Sequence, residues 1–347
     1  MKISHIIIAL MAAISAPAYA TSSINLGGYS VAATYALDAF NGTSGGLSGL
    51  EGSAITYARD RGTLFFVGDE GTGVIEISKT GQTVGNMTFD WTGTGSTKHD
   101  SEGLTYMGNG VLVLAEERLQ DAYSFNYVAN GSATLANNFV SISNTSVGNS
   151  GMEGISYDPR NGSFVTIKQE APQNILAGNL TFSSATGGLP STLPKDGASP
   201  NGGGASTMVS LFDPTFMGLT TLSDVQTLSP IDALFGTAAA DNLLVLSLGS
   251  RRLIEVNRSG QILSSFDLTN VLAHNGIEGV TVDENGTIYL VAEQIQDGSN
   301  VLDPNPKSQL IVLTSTAPVP EPETYGMLML GLGLLGFVAR RRKNQQA

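Results

Sequence analysis

Acidic residues recur along the chain at positions that could bind a metal ion. Each stands shortly before an apolar run, and the five are Glu51, Glu102, Glu153, Asp232 and Glu278. A secondary set ends the next apolar run in four repeats: Glu70, Glu117, Glu170 and Glu293. Carboxylate oxygens suit Ca²⁺, and a chain with no Cys and three His offers little for zinc or copper. We therefore expect a calcium site, with a purely architectural role for these acids as the alternative.

Two histidines lie just ahead of repeat acids. His99 precedes Glu102 in the segment HDSEG, and His274 precedes Glu278 in HNGIEG. A histidine beside carboxylates can act as a general base on a calcium-activated water. His99 and His274 are thus the candidate catalytic residues, although three of the five repeats have no histidine there.

Other chemistries have no support in the sequence. It contains neither the G-x-S-x-G elbow of serine hydrolases nor a G-x-x-x-x-G-K-[ST] phosphate loop. The formal net charge of −13 predicts repulsion of nucleic acid and attraction of cations. We therefore exclude nucleic acid as a partner and keep calcium as the expected cofactor.

Each repeat acid opens a unit of four predicted strands. In the last unit, GIEGVTV and TIYLVAEQ flank an Asn-Gly turn, a pattern that predicts a β-hairpin. A third strand follows such a hairpin and a fourth closes most units, as RLIEVNR and ILSSFDL do in the unit before the last. Four-stranded units recurring about every fifty residues are typical of β-propeller blades. The sequence predicts an all-β propeller of five four-stranded blades, with six as the alternative.

The chain termini of the propeller predict how the ring closes. The last unit has no obvious fourth strand after SQLIVLTS, whereas YSVAATYAL precedes the first repeat unassigned. We expect this N-terminal strand to complete the last blade, which removes an exposed sheet edge. First strands line the channel of a propeller and second strands run antiparallel to them. The acids that begin first strands and end second strands should therefore meet at one mouth of the channel.

The repeats resemble a known family, the SdiA-regulated domain proteins. The resemblance rests on EGLTY with AEER, on MEGISYDPRNGSF with KQE, and on IEGVTVDENGTIYLVAEQ. It implies a β-propeller over nearly the whole body of the chain. The fourth repeat departs from the pattern, because Asp232 and Ala233 replace Glu-Gly.

The C-terminal segment 318–347 resembles the PEP-CTERM sorting tails. Its parts are the triplet Pro320, Glu321 and Pro322, an apolar run over about 325–339, and a basic cluster over 340–343 that includes Arg340, Arg341 and Arg342. An apolar transmembrane helix there would enter the inner membrane while the arginines stay cytoplasmic. The resemblance implies processing by an exosortase-type membrane peptidase and bacteria that make exopolysaccharide. A plain single-pass anchor is the alternative.

The N-terminal residues 1–20 are typical of a secretory signal peptide. Lys2 precedes a short apolar run, and Ala18 and Ala20 form an A-x-A site, so we expect cleavage after Ala20. The predicted organisation is a signal peptide at 1–20, a propeller at 21–317 and the sorting and anchoring segment at 318–347.

Two functions fit these features. The preferred one is an exported, calcium-stabilised, non-enzymatic propeller, anchored in the envelope or released into an exopolysaccharide matrix, that binds a ligand or partner. The alternative is a calcium-dependent hydrolase acting on a phosphoester, lactone or other ester at the acidic mouth of the channel. Fold alone does not choose between them, because propellers serve as enzymes and as binding modules.

Overall fold

The computed structural model describes residues 23–37, 51–69, 72–142, 148–170, 172–184, 203–295 and 308–316. In these ranges the regular elements are β-strands and short 3₁₀ helices. The strands are β1 (Tyr29–Ala36), β2 (Gly52–Ala58), β3 (Thr63–Gly68), β4 (Gly73–Ile77), β5 (Thr83–Asp90), β6 (Ser101–Gly108), β7 (Val111–Glu116), β8 (Asp121–Asn126), β9 (Ser132–Thr134), β10 (Phe139–Ser141), β11 (Met152–Asp158), β12 (Ser163–Lys168), β13 (Asn174–Gly178), β14 (Leu180–Thr181), β15 (Ala205–Ser206), β16 (Val209–Phe212), β17 (Leu222–Thr227), β18 (Leu243–Ser247), β19 (Arg252–Val256), β20 (Ile262–Asp267), β21 (Asn275–Val282), β22 (Ile288–Ile295) and β23 (Gln309–Ser315). The 3₁₀ helices are Leu26–Gly28, Leu135–Asn137, Pro214–Met217, Asp232–Leu234 and Ala238–Asp241.

These strands form a five-bladed β-propeller of four-stranded blades, as the repeats predict. From the inner strand outward the blades are β2-β3-β4-β5, β6-β7-β8-β10, β11-β12-β13-β16, β17-β18-β19-β20 and β21-β22-β23-β1. Strand β9 adds to blade 1 beside β5, in parallel, and β14 and β15 form a small separate ribbon. The predicted closure is confirmed, because β1 pairs antiparallel with β23 from Tyr29↔Ser315 to Ala36↔Gln309.

The apolar core is divided among the interfaces between blades. Five clusters of buried apolar side chains occur in the described residues, one at each of the five interfaces between neighbouring blades. Tyr123, Phe65, Phe66, Phe139 and Phe164 are among the largest fully buried side chains. Each blade is therefore stabilised by packing its two faces against its neighbours, without disulfides, since the chain has no cysteine.

The five inner strands are joined to one another by side chains. In four cases a hydroxyl of one blade accepts the backbone N–H of the next: Tyr57 to Thr281, Tyr106 to Thr56, Tyr157 to Thr105 and Thr227 to Ser156, at 2.9–3.0 Å. At the remaining junction Asp224 Oδ2 accepts the N–H of Val280 at 2.7 Å. These bonds satisfy backbone groups that no sheet partner reaches, and they close the ring around a narrow channel.

The glycine of the Glu-Gly pairs is required by the close approach of the next inner strand. A Cβ on Gly103 would lie 2.7 Å from the carbonyl oxygen of Glu153, and one on Gly154 would lie 2.7 Å from Cα of Asp224. Glycine allows the backbones to approach this closely. Each inner strand also has an irregular register near its first residues. Glu102, Glu153 and Glu278 lie at these β-bulges, which redirect side chains.

The fourth repeat does not begin where the sequence predicts, at Asp232. Its inner strand is β17 (Leu222–Thr227), and Asp232 lies after this strand in the 3₁₀ helix Asp232–Leu234. The reason is that Ser223 and Asp224 replace Glu-Gly, so the signature is absent from the true inner strand.

Three sequence predictions fall partly or wholly outside the described residues. They are the signal peptide at 1–20, the sorting tail at 318–347 with its apolar run, and the predicted ligand Glu70. Within the described ranges, no helix is both long and apolar enough to cross a bilayer.

Candidate functional site: an acidic mouth of the propeller channel

Acidic side chains from several blades meet where the inner strands begin, and we call this end the acidic mouth. Glu102 on β6 and Glu153 on β11 are 8% and 5% exposed, and Glu278 on β21 is partly buried. Glu117, just after β7, and Glu293, near the end of β22, are buried beside them. The antiparallel pairing of first and second strands brings these two sets of acids to the same end.

Two further acids at this mouth were not predicted from the sequence. Asp69 follows β3, and Asp100 precedes β6, two residues before Glu102. Ligand oxygens of Asp69, Asp100 and Glu102 all lie within 4.8 Å of one another. Asp69 directly follows β3, as Glu117 directly follows β7, so this equivalence in the sequence indicates Asp69 rather than its neighbour Glu70.

Burial and mutual repulsion disfavour the charged forms of these acids. Burial raises the pKa of Glu102 and Glu153 well above the usual range, and neighbouring carboxylates, including Glu278, raise it further. Burial likewise raises the pKa of Glu117 and Glu278 to about 7. For Glu293, burial and the charge of Glu278 raise it to about 10. The fold therefore places several carboxyls together at a cost that a bound cation would relieve.

Asp100 differs from these acids, because its surroundings favour its charged form. Burial opposes its charge, but hydrogen bonds with Asp69 and Glu117 and the nearby Arg118 guanidinium lower its pKa below the usual value. Arg118 forms an ion pair with Asp100, the one ion pair found at this mouth among the described residues. One arginine cannot neutralise the whole cluster.

The buried side chain of Glu293 shares a hydrogen bond with the Glu278 carboxyl. The residue is 4% exposed, and its Oε2 accepts no hydrogen bond from the described residues. A buried carboxylate oxygen in this state is costly unless it is protonated or contacts a cation. The surrounding donors are hard oxygen atoms, which is the chemistry of a Ca²⁺ site rather than of a zinc or copper site.

The remaining predicted ligands are dispersed. Glu51, partly buried before β2, is close enough for its charge to raise the pKa of Glu278 and Glu293. Glu170 is exposed and accepts a hydrogen bond from Thr221 Oγ1 at 3.1 Å. Asp232 lies at the opposite end of the channel, in an ion pair with Arg59 at 2.7 Å. Glu70 lies outside the described residues.

Both histidines lie near the start of an inner strand and are partly buried. The ring of His99 stacks on Trp91, with the centroids 5.0 Å apart and the planes inclined by 10°. His99 also has a left-handed backbone, with φ 62°. His274 directly precedes β21. The stacking gives His99 a packing role at the rim of the acidic mouth.

The other end of the channel holds a pocket, and we call this end the tyrosine mouth. The pocket has a volume of about 530 Å³. Tyr57, Tyr106 and Tyr157 line it at equivalent positions of three inner strands, and Arg59 and Gln226 also line it. A pocket of this size with aromatic walls and a few polar groups suits a small organic ligand.

Comparisons with known proteins agree with the repeat pattern and the tail. The sequence profile of the SdiA-regulated family matches residues 36–294, and the profile of the PEP-CTERM protein-sorting motif matches residues 318–343. The family match spans the inner strands that carry the acidic mouth.

Solved structures with a similar arrangement are remote in sequence. Regucalcin from Agrobacterium tumefaciens, described as a calcium-binding protein, is 9% identical with a TM-score of 0.42, over 76% of this chain and 90% of that chain. Myxococcus xanthus glutaminyl cyclase is 12% identical with a TM-score of 0.45, over 83% and 97%. The PQQ-bound aldose sugar dehydrogenase from Streptomyces coelicolor is 12% identical with a TM-score of 0.45, over 82% and 98%. On the profile match over most of its length, this chain belongs to the SdiA-regulated family and carries a PEP-CTERM sorting motif.

Proposed function

We propose that this protein is an exported, envelope-anchored propeller that binds Ca²⁺ at its acidic mouth for stability and acts as a non-enzymatic binding module. The observation that supports it is the buried carboxylate cluster, which in the described part of the chain has one ion-paired arginine, Arg118. The sorting motif supports a location in the cell envelope and an exosortase-type peptidase as the processing partner.

The calcium proposal follows from electrostatics. Two carboxylates about 5 Å apart repel by about 3 kcal/mol at an effective dielectric constant near 20. Asp69, Asp100 and Glu102 are closer together than this, and Glu117 and Glu153 add charge beside them. A divalent cation accepts six to eight oxygen ligands in flexible geometry. Asp69, Asp100 and Glu102 would hold the ion, with Glu153 or Glu117 completing its coordination.

The binding role is assigned to the tyrosine mouth, which is remote from the metal cluster. The ring of buried hydroxyl and amide side chains, including Thr56, Thr105 and Gln226, separates the two ends of the channel. Tyrosine side chains offer apolar faces and polar tips with little loss of conformational entropy. The expected ligand is a compact molecule with one or two rings and several hydrogen-bonding groups.

The alternative, a calcium-dependent hydrolase, has one observation in its favour. Burial and neighbouring charge raise the pKa of Glu293 to about 10, so its carboxyl can donate a proton at neutral pH. A screen of phosphoesters, esters and lactones tests this role. Calcium-dependent turnover that is lost in Glu102→Gln and His274→Ala would establish the hydrolase, whereas turnover that persists in both variants does not come from this site.

Calorimetric titration of the calcium-stripped protein with CaCl₂, combined with thermal denaturation, tests the metal site. Binding at 100-fold above Kd stabilises the folded state by about 2.7 kcal/mol. We expect Glu102→Gln to weaken this effect strongly. Glu170→Gln is the matched control, because it removes an exposed carboxylate at the same mouth. Absence of both heat and a melting shift in the unsubstituted protein would show that the acids have an architectural role alone.

A further inference from the structure

We propose that, while the chain is anchored, its tyrosine mouth faces the membrane and its acidic mouth points away from it. This inference rests on the proposed anchoring by the C-terminal segment and adds the surface that meets the bilayer. The partner is the headgroup layer of an anionic phospholipid membrane.

The direction of the last strand determines where the tail leaves the propeller. Strand β23 begins beside the acidic mouth, where Ser308 Oγ accepts the N–H of Gly52 at 3.2 Å. It is antiparallel to β22, which is antiparallel to β21, so β23 runs in the direction of the inner strand. Leu313 pairs with Ile288, which pairs with Val282 on the wall of the tyrosine pocket. The strand therefore ends at the tyrosine mouth.

The end of this strand is held firmly in place. Thr316 donates from its backbone N and from its Oγ1 to the carbonyl oxygen of Gly28, at 2.8 and 2.7 Å. Tyr29 pairs with Ser315 just before it. The point from which the tail departs is thus a defined position on the outer strand pair of blade 5.

The length of the connection to the apolar run disfavours the opposite orientation, because the connection would have to be almost fully extended. Nine Cα–Cα steps separate Thr316 from Tyr325, where the apolar run begins, and fully extended they span roughly 30 Å. To present the acidic mouth to the bilayer, the connection would have to run back along the seven residues of β23, which is about 23 Å. Roughly 7 Å would remain to reach the membrane.

Charge favours the same orientation. Basic side chains in the loops of the tyrosine mouth are paired with carboxylates there, as in Arg59–Asp232, Lys79–Asp283 and Arg160–Asp241. Among the described residues, the acidic mouth has an excess of carboxyl groups and one ion pair, that of Arg118. The guanidinium and ammonium groups at the tyrosine mouth can contact anionic lipid headgroups.

The orientation can be measured with single cysteines, because the chain has none of its own. Thr80→Cys and Thr92→Cys form a matched pair, since both are exposed threonines at opposite ends of β5 in blade 1. The full-length protein is labelled with a donor fluorophore and reconstituted in vesicles of phosphatidylethanolamine and phosphatidylglycerol containing an acceptor-labelled lipid. We expect stronger energy transfer from position 80, because position 92 lies about 25 Å further from the bilayer.

Two readouts distinguish the proposals. Co-flotation of the protein with vesicles measures anchoring, and loss of flotation would overturn both the anchoring and the orientation. Flotation with equal transfer from the two positions, or with stronger transfer from position 92, would overturn the orientation and leave the anchoring intact. Flotation with stronger transfer from position 80 supports both.

Discussion

Replacing Glu293 by glutamine should stabilise the calcium-free protein at neutral and alkaline pH. The side chain is 4% exposed, its Oε2 accepts no hydrogen bond from the described residues, and Glu278 lies beside it. Burial first, and the charge of Glu278 second, raise its pKa from 4.5 to about 10. Glutamine has nearly the same shape, is neutral, and can donate a hydrogen bond to Glu278.

The sign and size of the effect follow from proton linkage. A carboxyl whose folded pKa is raised contributes nothing unfavourable below its unfolded value, and its cost grows as pH rises from about 4.5 toward the folded value. At pH 7.5 the pH is three units above the unfolded pKa, which corresponds to about 4 kcal/mol. This is an upper bound on the gain from Glu293→Gln, because Glu278 readjusts its own protonation when its neighbour becomes neutral.

Urea denaturation in EDTA at pH 5.0 and pH 7.5 measures the prediction. We expect a gain of about 2–4 kcal/mol at pH 7.5 and under 1 kcal/mol at pH 5.0. In saturating calcium the gain should shrink, because the bound ion would offset the unfavourable charge of Glu293 in the unsubstituted protein. Glu170→Gln, at an exposed site of the same mouth, should change stability little at either pH. A Glu293→Gln protein that is less stable than the unsubstituted protein at pH 7.5 in EDTA would refute this account of the cluster.

Three further substitutions probe the fold that carries the site. Burial raises the pKa of Asp121 to about 7. Asp121→Asn keeps an acceptor for Ser141 Oγ, and it should raise the free energy of unfolding by a few kcal/mol at pH 8 but not at pH 4. Urea denaturation at the two pH values measures this. Gly154→Ala should cost about 1–3 kcal/mol, because its Cβ would meet Cα of Asp224 at 2.7 Å, whereas Gly27→Ala, with 3.4 Å of clearance from its nearest neighbour, should cost less. Thr281→Val should lower the free energy of unfolding by about 1–3 kcal/mol, because the Thr281 hydroxyl accepts from Tyr57 N and donates to Gln226. Thr80→Val, at an exposed turn, is its control. An equal loss of stability in both variants would exclude a role for the bond between the blades.

The repeat pattern was sufficient to predict the architecture. Alternating apolar residues and Asn-Gly or Gly turns define hairpins locally, and the recurrence of a four-strand unit implies a ring, because a single blade cannot bury both its faces. The unassigned strand before the first repeat predicted the closure that β1 and β23 make. Glu-Gly was readable as a signature because each glycine allows the next inner strand to approach closely.

The acidic mouth was predictable only in part. Glu102, Glu153 and Glu278 follow from the repeat, since equivalent positions in equivalent strands lie at equivalent places around the channel. Asp100 and Asp69 stand outside the repeated signature, and their proximity to Glu102 depends on how the loops between strands turn. Periodicity carries no information about such loops.

Asp232 shows most clearly where sequence reasoning ends. Its spacing resembled that of the other repeat acids, yet it pairs with Arg59 at the tyrosine mouth, because the inner strand of blade 4 begins ten residues earlier, at Leu222. The amino-acid sequence by itself predicted five blades, with six as the alternative, and determined the closure and the family, since these depend on local alternation and repetition. Only the tertiary structure decided which acids meet, where the tyrosine pocket opens and from which end the tail departs, because each depends on contacts between residues far apart in the chain.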